Sequence, residues 1–73
     1  MAHAVKHRVV VGENLRACRA NAGLTLEQLA EKADMSWPCL SEIERGRENI
    51  SPDKLARLAQ ALNVRLSKLV EDA

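Results

Sequence analysis

LTLEQLAEKADMSWPCLSEIERGR, residues 24–47, is the stretch on which the fold turns. Thr25 and Gln28 have capping-box spacing: the hydroxyl takes a free backbone amide and the longer side chain reaches back. Leu24 and Leu29 occupy the staple positions around that box. Leu26, Leu29, Ala30 and Ala33 make an inward stripe, so a helix is predicted over about 26–33. Asp34 and Met35 break it, because Asp is among the few non-glycine residues that tolerate left-handed backbone. A further helix, capped by Ser36 or Trp37, ends near residue 45, before Gly46. Leu40 and Ile43 face inward on it, and Met35 with Leu40 repeats the staple spacing. Pro38 is compatible with its first turn, where a missing amide costs nothing, and disfavours helical backbone at Trp37.

Working outward, Val11, Leu15, Cys18 and Ala22 share one helical face, which predicts a helix over about 9–22 stopped by Gly23. Residues 1–8, with His3, Lys6, His7 and Arg8, show no period and read as a mobile tail, leaving 9–73 as the domain. Downstream, Ser51-Pro52-Asp53 is a strong start signal: a cap, a first-turn proline and an acid on the helix dipole. Leu55, Leu58, Ala59 and Leu62 carry that helix over about 52–62, and Asn63 ends it. Leu66, Leu69 and Val70 suggest a last short helix over about 66–71, weakly capped by Arg65. The expected fold is all-α, five short helices in one domain.

Composition agrees with a small helical domain. Among 73 residues there is one Trp and no Phe or Tyr, so aliphatic side chains must build the core. No apolar run approaches the roughly 20 residues that span a bilayer. The first ten residues, MAHAVKHRVV, lack the apolar segment of a secretory signal, so a cytoplasmic protein is expected. Cys18 and Cys39 read as small apolar residues, with no metal-ligand spacing and no cofactor motif nearby. The net charge is +1 but uneven: residues 31–53 carry three bases against six acids, and both flanks are basic. Any nucleic-acid surface must therefore rest on placed charges rather than a broad field. No pair of titratable residues suggests a catalytic cleft, so an enzyme is not expected.

Two helices joined by so short a turn form a helix-turn-helix, which offers its second helix to a DNA major groove. Ala30 must be small where the later helix crosses it, and Leu40 anchors that helix. LRACRANAGLTLEQLA, MSWPCLSEIERGR and ISPDKLARLAQALNV followed by L..LV together resemble the Cro and phage-repressor type of helix-turn-helix regulators, the XRE family. ERGRENIS adds a weaker likeness to restriction-modification controller proteins. The resemblance implies a compact, lambda-repressor-like five-helix domain that binds double-stranded DNA.

Carried over residue by residue, it implies an ion pair between Arg19 and Glu44, against the alternative of two surface charges. It places Thr25, Gln28, Ser36, Arg45 and Arg47 on DNA phosphates, with Leu26 standing where a Gln is usual. For Arg45 and Arg47 the alternative is solvated charge beside Glu44 and Glu48. Trp37, Pro38, Ser41 and Glu42 fall where bases are read, while Cys39 stays open between groove and core. A homodimer on a palindromic operator is expected, with contacts around Val64, Leu66, Leu69 and Val70 unless these belong to the monomer core. The other reading of the same fold is a protein-interaction module, an antitoxin or adaptor, in which Trp37 meets a protein partner or covers a core edge.

Overall fold

Four of the helices end in the same way, and those endings set the path of the chain. The computed structural model describes the backbone of residues 2–73 and the side chains of residues 7–73. Five helices occur among them: α1 (Ala2–Asn21), α2 (Leu26–Lys32), α3 (Trp37–Glu44), α4 (Pro52–Leu62) and α5 (Leu66–Leu69). After α1, α2, α3 and α4 the chain turns through left-handed backbone at Gly23, Asp34, Gly46 and Asn63, with φ of 71°, 57°, 73° and 57°. Each of these residues, and the one after it, returns an amide to a carbonyl of the last helical turn. Examples are Met35 N–H to Ala30 O at 3.0 Å and Arg47 N–H to Glu42 O at 3.0 Å. The pattern is the Schellman closure, which satisfies carbonyls that a helix end leaves free.

The starts are equally specified. Thr25 Oγ1 accepts from Gln28 N–H and Gln28 Oε1 accepts from Thr25 N–H, completing the capping box of α2. Ser36 is the cap of α3, accepting from Cys39 N–H, and so decides between the two caps open in the sequence. Ser51 caps α4 in the same manner. Arg65 makes no side-chain cap bond, and α5 is only one turn long, ending at Leu69 where 71 was expected.

The helices close around one aliphatic core: Val11, Leu15 and Cys18 of α1, Leu29, Ala30 and Ala33 at α2, Leu40 and Ile43 of α3, four residues of α4, and Leu69. Helix α3 packs against both α1 and α2, while α4 packs on α2 and α5, and α5 returns to α1. Ala30 is 2% exposed beneath this crossing, as its small size requires.

Two expectations change. Helix α1 starts at Ala2, not near residue 9, because Ala, Lys and Arg favour helix and nothing in 2–8 breaks one. The expected tail at 1–8 falls mainly on residues, His3 included, whose side chains lie outside the described residues. Ala22, expected on the inward face, is exposed because α1 has already ended at Asn21.

Gly12, unremarked in the sequence, lies buried in the middle of α1 against the end of α3. A methyl group there would stand 2.5 Å from the Glu44 carbonyl oxygen and 2.6 Å from that of Ile43. Gly46 faces back, with left-handed backbone and only 2.9 Å from its would-be Cβ to Val9 Cα. Backbone therefore meets backbone between α1 and α3. Gly12→Ala, although it favours helix locally, should destabilise the domain by about 1–3 kcal/mol through overpacking. A denaturant titration checks this: the midpoint falls, whereas an unchanged or raised midpoint removes the close contact.

Candidate nucleic-acid interface

With Leu40 and Ile43 turned into the core, α3 has one face left. Trp37 and Ser41 lie one turn apart on it, as do Pro38 and Glu42, so all four share a stripe. Trp37 is 53% exposed at the first helical position, a large apolar surface left in solvent. Pro38 is exposed beside it, and Ser41 and Glu42 are half-buried. The structure thus brings together the four residues the resemblance assigns to base reading. Cys39 leaves that face: it packs against the core, and Lys54 Nζ of α4 donates to its Sγ at 3.6 Å.

The far end of α3 is clamped to α1. Arg19 Nε donates to Glu44 Oε2 at 2.7 Å and Nη2 to Oε1 at 3.0 Å, a two-pronged pair. Arg19 Nη1 also donates to Leu24 O at 3.1 Å, so one guanidinium fastens α1, the approach to α2 and α3. The side chains are 17% and 6% exposed, which sets aside the alternative of two surface charges. The hydrogen bond to Glu44 raises the Arg19 pKa above its ordinary value; burial opposes this and Coulombic attraction adds to it. The guanidinium stays charged throughout the working pH range.

The residues assigned to phosphates lie at the start of α2 and at the two ends of α3. Thr25, Gln28 and Ser36 are engaged in capping, and capping orients them without exhausting them. Each hydroxyl that accepts from an amide keeps its own O–H donor, and Gln28, accepting through Oε1, keeps its NH₂ group. Arg45 is exposed and closes α3 as its C-cap. Arg47 is exposed too, with Nη1 3.8 Å from the Glu42 carboxylate, an open pair that contributes little to stability.

Several supporting residues escaped the sequence reading. Arg57 of α4 donates to Asp34 O at 3.0 Å and so holds the turn between α2 and α3. Its Nε lies 3.4 Å from Asp53 one turn earlier, and that spacing was a visible signal. Asn14 Nδ2 donates to Leu69 O at 3.0 Å and Glu71 O at 2.8 Å, tying α5 to α1. One expected dimer residue is corrected: Leu69 is 0% exposed within this single chain, because α5 turns it into the core between α1 and α4. Leu66 is 45% exposed, and Val64 and Val70 are half-buried.

Residues 15–69 match the sequence model of the HTH_3 family, described as Helix-turn-helix. The chain belongs to this helix-turn-helix family. Within it, the chain is 42% identical over 66 residues to the transcriptional regulator ClgR of Mycobacterium tuberculosis, covering 90% of this chain and 59% of that one. It is 42% identical over 62 residues to the immunity repressor protein of Bacillus phage phi105, covering 85% and 43%. The crystal structure of the restriction-modification controller protein C.AhdI from Aeromonas hydrophila superposes with a TM-score of 0.83 at 32% identity, covering 85% of this chain and 94% of that one. The chain thus spans about half the length of the first two relatives. Both likenesses read from the sequence, to phage repressors and to controller proteins, are borne out. The fold is the helix-turn-helix DNA-binding fold of transcriptional regulators. No helix among the described residues is long and apolar enough to cross a membrane.

In this helix-turn-helix the Arg19–Glu44 clamp should govern stability. Glu44→Ala leaves the Arg19 guanidinium partly buried without its carboxylate, and is expected to cost about 3 kcal/mol. Replacing both residues with Met should cost less than Glu44→Ala alone. A thermal melt of the single and double variants checks this, and equal melting temperatures for Glu44→Ala and the parent would remove the clamp from the account.

Proposed function

We propose that the protein is a sequence-specific, DNA-binding transcriptional regulator that binds a palindromic operator as a homodimer, with α3 in the major groove. The observation that carries this reading is the outward stripe of α3, Trp37, Pro38, Ser41 and Glu42, on a helix whose other faces are fixed to α1 and α2. Each group has a use on base edges. The Trp37 indole offers one donor and a broad face for a thymine methyl, which Pro38 can also contact. The Ser41 hydroxyl donates or accepts, and Glu42 can accept from a cytosine amino group. Arg47 beside Glu42 offsets the acid where it approaches phosphates, and Arg45, Thr25, Gln28 and Ser36 supply the remaining backbone contacts.

One short helix reads only a few base pairs, so a second copy is needed for affinity. Leu66 is the exposed apolar residue of α5, with half-buried Val64 before the helix and Val70 after it, and this segment is the one that suits a two-fold contact setting half-sites about 34 Å apart. The experiment is selection from a random duplex pool. An enriched inverted repeat supports the reading, and no enrichment at any salt contradicts it.

A second reading is supported by two observations. The exposed Trp37 and the acidic middle third also suit a protein partner, making the domain an interaction module such as an antitoxin or adaptor. Salt separates the two, since phosphate contacts weaken steeply with salt and an apolar protein contact does not.

Trp37→Ala should change which half-site is enriched while leaving the melting temperature within a few degrees of the parent. The same enriched sequence from a markedly less stable protein would make Trp37 a core-covering residue instead. Leu66→Glu should shift sedimentation from dimer to monomer and weaken operator binding at least tenfold, because the charge would be desolvated in the interface. An unaltered dimer would place the contact elsewhere.

A further inference from the structure

Between α1, α2 and α3 lies a cleft of about 150 Å³, lined by Arg16, Arg19, Leu26, Ser41, Glu44 and Arg45. Its single carboxylate is fully committed: both oxygens of Glu44 are held by Arg19. Arg16 and Arg45 therefore face the cleft without an acid to neutralise them, and neither forms an ion pair among the described residues. Both are exposed at its mouth. Ser41 adds a hydroxyl from the outward stripe of α3, and Leu26 contributes no polar group. The arrangement is two guanidiniums without an ion-pair partner among the described residues and one hydroxyl, lining one notch.

From this we infer that Arg16 of α1 is a phosphate-binding residue, which with Arg45 clamps one DNA backbone phosphate in this cleft. The inference rests on the DNA-binding reading above and extends the contact surface from the helix-turn-helix to α1. Guanidiniums on two sides of a notch suit a phosphate better than a base edge, because they offer forked donors to oxygens and carry charge. Leu26, at the first turn of α2, leaves that edge without a side-chain donor, and Arg16 supplies one across the cleft. The contact is sequence-independent, so it acts on affinity and register rather than on base choice.

The test is binding of a short random-sequence duplex, followed by anisotropy of a labelled strand across a salt series, for the parent, Arg16→Ala and Arg16→Lys. Because Arg16 is exposed, thermal melts of both variants match the parent. Loss of one phosphate contact should reduce the magnitude of the slope of log K against log salt by about 0.9, and Arg16→Lys, keeping the charge, should restore most of it. Salt-dependent binding by the parent together with an unchanged slope in Arg16→Ala overturns the assignment of Arg16 alone. Absence of salt-dependent binding by the parent overturns the DNA reading, and this inference with it.

Discussion

The close approach of α1 to the C-terminal end of α3 is the constraint from which the rest follows. At Gly12 the helix presents bare backbone to the carbonyls of Ile43 and Glu44, and at Gly46 the turn presents bare backbone to Val9. With no side chain between them, the Arg19 guanidinium can reach the Glu44 carboxylate through two hydrogen bonds and still bond Leu24 O. A mid-helix glycine costs roughly 1 kcal/mol in helix propensity relative to Ala. It is tolerated here because it lets two helices and an ion pair share one small space. The pair in turn uses up the only carboxylate in the neighbouring cleft, which leaves Arg16 and Arg45 facing solvent as cations.

In the proposed DNA-binding reading, that fixed end is what would make α3 useful as a reader. Its N-terminus is held by the Ser36 cap, its inner face by Leu40 and Ile43, and its C-terminus by the Gly46 closure and the Glu44 clamp. The turn that aims it is braced from behind by Arg57 on the Asp34 carbonyl. An eight-residue helix has little stability of its own. Held at these points it presents Trp37, Pro38, Ser41 and Glu42 in one orientation, so less ordering remains to be done on binding.

Much of this was legible because it is local chemistry. The Thr25–Gln28 box, the Ser51-Pro52-Asp53 start and the left-handed stops at Asp34 and Asn63 each depend on residues a few positions apart, and each stands where the spacing put it. The span of α4 was readable throughout, since cap, proline, apolar period and Asn63 all agree. The start of α1 was not, because a stretch without hydrophobic period can still be helical when nothing interrupts it. Long-range partners were hidden for a different reason. Asn14 bonding to Leu69 and Glu71, Arg57 bonding to Asp34, and Gly12 meeting α3 are made by topology, and no spacing in the chain announces them. Leu69 shows the same limit: an apolar residue near a chain end fits core or interface equally well until the packing of α5 decides it.

In the proposed function, one continuous surface, formed by the start of α2, the outward stripe of α3 and the turn after it, docks on duplex DNA. Amide chemical-shift mapping of the ¹⁵N-labelled protein during titration with duplex DNA addresses it most directly. The largest shifts are expected on residues 25–28, 36–42 and 45–47, with those of α4 nearly still. Shifts concentrated on α4, or a spectrum unmoved by duplex at low salt, would contradict it.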